Sequence, residues 1–479
     1  MGTTLTIDPL TRIEGHAKIS IQLDGDGAVQ SARLHVGEFR GFEAFCVGRP
    51  FTEMAAITAR ICGICPVSHL LAASRTADKL LAVTIPPAAE RLRRLLNLAQ
   101  ILQSHALSFF HLSSPDFLLG WDCAPERRNL FGLIADHPDL ARGGIRLRQF
   151  GQGMIEALGG RKIHPAWVVP GGVRSPLAQS QRERLLAELP EMCAITAMAL
   201  TLFKQLLDRH LGEEQHVFGQ FPSLFLALTG RDDLWEHSDG PSCAGIAVMA
   251  SDGTRLAQGL REDDYPQFIA EAVEPWSYLK SPYYRPLGRE AGSYRVGPLA
   301  RLNLCERIGT PWADRELLEL RQRGGRVVTA SFHYHLARLI EIVACLEQMQ
   351  RLLEDPAITE AQVRATGRLQ RREAVGVSEA PRGTLLHHYR VDADGLIEAV
   401  NLIIATGQNN SAMNRTITQI ARHYLQGGHL SEPLLNRVEA GIRCYDPCLS
   451  CSTHAAGQMP LQLQLFSAEG ALLQELSRP

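Results

Sequence analysis

Several features that would place a protein quickly are missing from this chain of 479 residues. No run approaches the 18 or so apolar residues of a membrane span. The start, Met1-Gly2-Thr3-Thr4-Leu5-Thr6-Ile7-Asp8, lacks the basic and apolar regions of a signal peptide. Charge is nearly balanced: 49 Lys and Arg stand against 51 Asp and Glu. That leaves no electrostatic reason to expect a nucleic acid or an anionic membrane as partner. There is no internal repeat, low-complexity stretch or obvious linker, no Gly-x-Gly-x-x-Gly nucleotide loop, and no cysteine cluster beyond two pairs. What is present, 45% apolar and 21% charged residues, is the make-up of a soluble globular protein. Its length allows two or three cores or one large mixed fold.

The eleven cysteines are an odd number in a long chain, which is not the framework of a small disulfide-stapled scaffold. A reducing compartment fits better. Lone cysteines in apolar settings, such as Cys345 in Ile342-Val343-Ala344-Cys345-Leu346, read as small core residues.

Pattern along the chain points to an α+β protein: mainly long α-helices around a buried metal centre, with small peripheral antiparallel β elements. Residues 4–36 alternate, with a turn at Asp24-Gly25-Asp26-Gly27. Helical spacing covers residues 55–81, broken at Gly63 and Pro66, then 88–112, 185–211 and 331–353. Gly143-Gly144 and Gly159-Gly160 read as punctuation, and Pro170-Gly171-Gly172 as a turn. Residues 215–310 look irregular, with short strand candidates such as Gly245-Ile246-Ala247-Val248-Met249. Strand character returns over 385–405, helices follow at 412–425 and 432–442, and the tail alternates from Pro460 to Phe466 before a turn at Glu469-Gly470.

Two cysteine pairs carry the chemistry. Arg60-Ile61-Cys62-Gly63-Ile64-Cys65 has a trailing His69, and Asp446-Pro447-Cys448-Leu449-Ser450-Cys451 a trailing His454. Cys448 lies 383 residues after Cys65. Soft thiolates select zinc, nickel, copper(I) or iron. Spacing alone leaves three readings open: a structural zinc site with four cysteine ligands, two separate redox pairs, or a buried catalytic metal. Zinc ribbons keep their pairs much closer in sequence. A helix broken at the first pair would free backbone amides to hydrogen-bond thiolates.

The flanks of these pairs resemble the large, catalytic subunit of nickel–iron hydrogenases. Thr11-Arg12-Ile13-Glu14-Gly15-His16, Arg40-Gly41-Phe42-Glu43 and Glu379-Ala380-Pro381-Arg382-Gly383 resemble three further blocks of that family. The form Leu-Ser-Cys-Ser-Thr-His followed by Ala-Ala-Gly-Gln-Met-Pro-Leu looks most like its cytoplasmic, NAD-reducing branch. The resemblance implies heterolytic H2 oxidation or evolution at a nickel–iron centre whose iron carries CO and cyanide. Cys62 and Cys448 would be terminal nickel ligands, and Cys65 and Cys451 bridging ones. Glu14 would take the first proton from Cys448. Glu43, His454 and the backbone at Leu402 would hold Mg2+, or iron, at a second site.

The same resemblance points Arg382 at the open coordination position, pairs it with Asp446 and with Asp116, and sets His69 against a bridging thiolate. Thr406, in Ala405-Thr406-Gly407-Gln408-Asn409, departs from the family's usual sequence but keeps a hydroxyl for a cyanide. His16, His105 and His111 read as structural. Partners implied are an iron–sulfur small subunit, flavin and iron–sulfur diaphorase subunits that bind NAD, and a maturation protease that removes residues 455–479 from a domain of residues 1–454. A regulatory H2-sensing subunit of the same fold is the alternative. The quinone-side relative in respiratory complexes lacks the four cysteines present here.

Overall fold

Prolines set where many of the helices begin. Pro66, Pro87, Pro138 and Pro311 each sit in the first turn of a helix, where a fixed φ helps and no intrahelical N–H bond is forfeited. The computed structural model describes residues 4–237, 243–425, 431–454, 461–466 and 472–478. Its centre is a layer of long helices. Pro87–Ala106 is buried on nearly every side and packs on Pro66–Leu80, Pro138–Gly159 and Tyr334–Glu354, while Gln179–Arg209 packs on the last two.

Small sheets surround this layer. Thr4–Ile7, Lys18–Leu23 and Val29–His35 form an antiparallel sheet, with the expected turn closed by Asp24 Oδ1 accepting the N–H groups of Asp26 and Ala28. That sheet is tied to the Asn410–Tyr424 helix, near the other end of the chain, through Ala32 N–H to Thr418 and Leu34 N–H to Asn414. Glu373–Ala380, Gly383–Val391 and Ile397–Ile403 make a second antiparallel sheet. The tail strands Leu461–Phe466 and Leu472–Arg478 pair as a hairpin, and the turn expected at Glu469-Gly470 lies outside the described residues. Among the described residues, the main apolar core draws on residues from Leu10 to Cys451, and two smaller clusters cover the faces of the four-stranded sheet formed within residues 224–295. The α+β class is as expected.

Four features differ from the sequence pattern. Residues 215–310 hold a four-stranded sheet, with Leu224–Gly230 and Cys243–Ala250 at its centre, and a hairpin of Ile269–Glu274 with Ser277–Tyr284. Leu224–Gly230 is buried at every position, so it shows no alternation to read. Its neighbour Tyr294–Arg295 runs parallel, so the sheets are not all antiparallel. Gly143-Gly144 lies inside the Pro138–Gly159 helix, where a Cβ on Gly144 would fall 2.4 Å from Phe110 Cβ; the glycine allows two helices to touch rather than ending one. The helix expected over 88–112 is α-helical only to Ala106 and continues as a π-helix, Leu107–Ser113. Finally, Gln179–Arg209 does contain an 18-residue window apolar enough to cross a membrane by length and composition. A third of that window is buried, and the helix packs on its neighbours through one face.

The lone cysteines Cys46, Cys305, Cys345 and Cys444 are buried as free thiols, and Cys123, Cys193 and Cys243 are half-buried.

The helix that follows the first cysteine pair lies directly on the strand that leads to Arg382. Gly376 makes that approach possible: a Cβ there would meet Ala72 O at 2.4 Å and Thr76 N at 2.5 Å. Thr76 also donates its hydroxyl to His387 O, 3.0 Å away on the next strand. Gly376→Ala is therefore expected to push helix and sheet apart at a cost of about 1–3 kcal/mol, the usual range for overpacking. Chemical denaturation should show a lower midpoint with an unchanged slope.

Candidate metal centre

The first cysteine pair sits where a 3-10 turn, Ala59–Ile61, ends and the Pro66–Leu80 helix begins. Pro66 starts the helix and Cys65 is its cap residue, so the amides ahead of it are free. Cys62 Sγ accepts the N–H groups of Ile64 at 3.2 Å and Cys65 at 3.4 Å, as expected for a thiolate at a helix start. Gln100 and Gln103 both donate to Ile64 O at 2.8 Å, and the His164 ring bonds Cys62 O at 3.0 Å. None of these three was apparent from the sequence, because nothing local marks a side chain that reaches a distant carbonyl.

In the second pair, Cys448 caps a single turn, Leu449–Ser452, and Cys451 lies within it. Thr406 Oγ1 accepts the Cys448 N–H at 3.0 Å, and Ser452 donates to Cys448 O at 2.7 Å. Cys62 Sγ then lies 3.3 Å from Cys448 Sγ, and Cys65 Sγ lies 3.4 Å from Cys451 Sγ. The two sulfurs of the second pair are 2.9 Å apart. All four are buried, with their sulfurs within 4.8 Å of one another. Hydrogen bonds from Cys448, Cys451 and Cys65, helped by the charge of Arg382, pull the Cys62 thiol well below its ordinary range. Burial and the neighbouring sulfurs push Cys448 and Cys451 up. Such a donor set fits a soft or borderline metal.

A cavity of about 20 Å³, room for one very small molecule, adjoins these sulfurs. Cys65, Cys448, Cys451, His69, Thr406 and Arg382 line it together with Ala380, Leu385, Ile404 and Ala405. Arg382 donates from Nε to Asp446 O, and its Nη2 lies 3.0 Å from Asp446 Oδ2. Burial opposes the guanidinium's charge, but Asp446 and the thiols of Cys448, Cys65 and Cys62 outweigh it, so its affinity for its proton rises. Asp116 is not beside Arg382. It bonds Arg12 and takes both arms of Arg443, at 2.8 and 3.1 Å, and so ties the Thr11–Arg12 segment to the Glu432–Arg443 helix. Two arginines of other segments reach that carboxylate, and sequence spacing does not distinguish them from Arg382.

Glu14 is half-buried and faces the second pair. Its carbonyl accepts the Leu449 N–H at 3.1 Å. Its carboxylate accepts the Ser450 N–H at 3.0 Å and the Ser450 hydroxyl. Ser450 lies inside the Cys-x-x-Cys motif, yet only the fold reveals it as Glu14's partner. His69 Nδ1 meets His387 Nε2 at 3.1 Å, and His387 Nδ1 meets Tyr389 Oη at 2.6 Å. Burial lowers His69 to about 4, so its ring is neutral beside the thiols.

A second set of donors lies beyond the Cys451 side. His454 Nδ1 bonds Cys451 O at 2.9 Å, while its Nε2 makes no hydrogen bond and is 3.5 Å from Glu43 Oε1. The Leu402 N–H donates to the same Glu43 oxygen at 2.7 Å. Burial raises Glu43 to about 7 and lowers His454 to about 3. A carboxylate beside an unpartnered imidazole nitrogen fits a small divalent cation. Of the histidines read as structural, His105 bonds Glu341 at 2.7 Å in the core, His16 pairs with Glu38 at the surface, and His111 is half-buried with Nδ1 unpartnered.

Comparison with known proteins gives this geometry a family. The nickel-dependent hydrogenase model matches residues 40–121 and 250–454, and a HoxL-like model matches residues 4–39. The NAD-reducing hydrogenase HoxS subunit beta of Cupriavidus necator is 42% identical over the full length of both chains. A solved NAD+-reducing [NiFe]-hydrogenase superposes with a TM-score of 0.91 at 45% identity, covering 94% of this chain and 99% of that one. The Ni-Fe-Se hydrogenase of D. vulgaris Hildenborough superposes at 0.77 with 25% identity, covering 95% and 100%.

Cys65→Ser replaces a soft donor by a hard one in a buried set of four. It is expected to leave the chain folded but strip it of nickel, and elemental analysis of the purified protein checks this. Matched at both ends by family models and along its whole length by a relative, with four buried cysteines drawn to one point, the chain belongs to the nickel-dependent hydrogenases as a large subunit.

Proposed function

We propose that the chain oxidises and evolves dihydrogen at a nickel–iron centre held by Cys62, Cys65, Cys448 and Cys451, coupled through partner subunits to NAD+/NADH. The observation that carries this reading is the convergence of four buried thiols beside a cavity that three of them line with Arg382, in a chain alike over its whole length to an NAD-reducing hydrogenase subunit. When bound, such a centre polarises dihydrogen and accepts its electrons, with CO and cyanide on the iron. The residues around it do the rest. Arg382, oriented by Asp446, keeps a positive charge at the cavity wall. The apolar side chains of Ala380, Leu385, Ile404 and Ala405 leave little room for water. Thr406 has its oxygen engaged by Cys448 N–H, so its hydroxyl hydrogen is free for a cyanide. Glu14, whose carboxylate accepts the Ser450 N–H and hydroxyl, takes the proton released at Cys448. Glu43, His454 and the Leu402 backbone hold Mg2+ or iron at the second site.

Electrons leave through an iron–sulfur small subunit, and NAD is met by flavin and iron–sulfur diaphorase subunits, in the cytoplasm. The purified assembly should reduce NAD+ under dihydrogen in proportion to its nickel, with infrared bands of CO and cyanide. Glu14→Gln keeps shape and hydrogen bonding but cannot carry a proton. It should keep the metals and those bands while exchange of dihydrogen with heavy water falls at least about a hundredfold, the usual worth of a general acid–base group. Unchanged exchange would move the proton path elsewhere.

The tail supports a second proposal, that a protease cuts after His454 and releases residues 455–479. His454 is held from both sides: Glu43 N–H donates to His454 O at 3.0 Å, and Arg40 N–H to Thr453 O at 2.9 Å. Among the described residues, the strands beyond it pair with each other. Ala455, across the scissile bond, is outside the described residues. Cleavage would leave His454, already buried against Cys451 O, as the chain's end beside the site. Intact-mass measurement on active, nickel-loaded protein should find a chain ending at His454. Full activity with the chain ending at Pro479 would remove the proposal.

A further inference from the structure

Arg382 stands at the tip of a hairpin. Ala380 pairs with Gly383, so Pro381 and Arg382 are the two turn residues between Glu373–Ala380 and Gly383–Val391. A two-residue tip has no ladder bonds of its own, yet this one must hold a guanidinium against the thiols. The device that holds it is a second arginine on another element. Arg301, in the Pro298–Leu304 helix, is 1% exposed. Its Nε and Nη2 grip Glu341 at 2.6 and 2.7 Å. Its Nη1 reaches Glu379 Oε2 at 2.7 Å and Ala380 O at 3.0 Å, and its Nη2 also reaches Pro381 O at 3.2 Å. All five N–H donors of the fork are used, two of them on the carbonyls that flank the tip.

The acceptors are anchored in their turn. Glu341 lies on Tyr334–Glu354 and takes bonds from His105 at 2.7 Å and Trp235 at 2.8 Å. Glu379 takes the Leu228 N–H at 2.9 Å and the Thr384 hydroxyl at 2.6 Å. On the far side of the tip the backbone of Gly297 comes so close that a Cβ there would be 2.6 Å from Arg382 O. The Arg301 guanidinium thus fastens the tip to the helix layer, and Asn97 of Pro87–Ala106 adds a bond to Glu379 O at 3.2 Å.

We propose that Arg301 is a positioning residue for the hydrogenase reaction: it clamps the Pro381–Arg382 tip so that the Arg382 guanidinium stays on Asp446 and over the metal cavity. This rests on the reading of Arg382 as the cation facing the centre. Arg301→Lys keeps the charge but offers three donors where five are used, so it cannot hold both carboxylates and both tip carbonyls.

Three proteins test it as full assemblies: Arg301→Lys, Arg382→Lys and the double variant. Each single change should lower turnover about tenfold or more at unchanged nickel content. Because Arg301 acts through Arg382, the double variant should be no more than about twofold slower than Arg382→Lys alone. Losses that multiply in the double variant, or full turnover in Arg301→Lys, overturn the proposal. A crystal structure of Arg301→Lys gives a readout independent of turnover: the Arg382 guanidinium should have moved off Asp446 by about 1 Å or more, and an unmoved Arg382 also overturns it. If Arg382→Lys by itself turns over normally, the role given to Arg382 fails, and the crystal structure alone decides the clamp. Should Arg301→Lys not accumulate, Glu379→Gln, which has nearly the same shape and weakens one grip of the fork, takes its place in the same cycle with the same expected non-additivity.

Discussion

Four sulfurs within 4.8 Å of one another, all cut off from water, are the constraint on which the rest of this structure depends. Two thiolates about 3.3 Å apart repel by about 5 kcal/mol at an effective dielectric of about 20. A loaded cluster therefore needs positive charge at close range, and the protein cannot draw it from solvent. A metal supplies most of it. Arg382, paired with Asp446, adds a fixed cation from the chain itself. The first thiol to ionise is Cys62, because it receives hydrogen bonds from its neighbours and from two backbone amides. Burial and the neighbouring sulfurs push Cys448 and Cys451 the other way, so these two hold their protons more tightly.

That demand explains an unusual interior. Arg93, Arg295, Arg301, Arg338 and Arg443 are all fully buried. Each spends donors on backbone carbonyls, and Arg93, Arg301 and Arg443 grip carboxylates as well. Arg93 holds Val169 and Gly172, Arg295 holds Gly219, Phe221 and Thr329, Arg338 holds Cys444, and Arg443 holds Thr11. Most of the segments they hold are turns, loops and very short strands rather than long elements. A guanidinium with five donors can pin such a segment from one point, where a sheet would need a partner strand. The loops around the cluster, which cannot be regular because they bend toward a point, are thereby kept rigid.

The two ends of the chain are the clearest case. Thr11 is held by Glu439 and Arg443, and Arg12 by Asp116, so Glu14 arrives beside Ser450. Arg40 and Glu43 take hold of Thr453 and His454 through main-chain bonds. In this way the second cysteine pair is fastened on both sides by the first tenth of the chain.

Much of this was legible in the residues. Two Cys-x-x-Cys pairs with trailing histidines mark candidate ligands by residue type and short spacing, and the blocks around Glu14, Glu43 and Arg382 mark candidate groups near them by resemblance. The long helices showed through their period, and their starts through proline. The sheets at 215–310 did not, since a strand buried on both faces has no alternation, and Gly144 misled because close packing and helix ending call for the same residue. What the sequence by itself determined is which atoms can bind metal and move protons. Only the tertiary structure decided which partner each of them has: Asp446 rather than Asp116 for Arg382, Ser450 for Glu14, His387 for His69, and Arg301 for the tip that carries Arg382. Those pairings join residues tens to hundreds of positions apart, and such distances are set by packing, which no local spacing records.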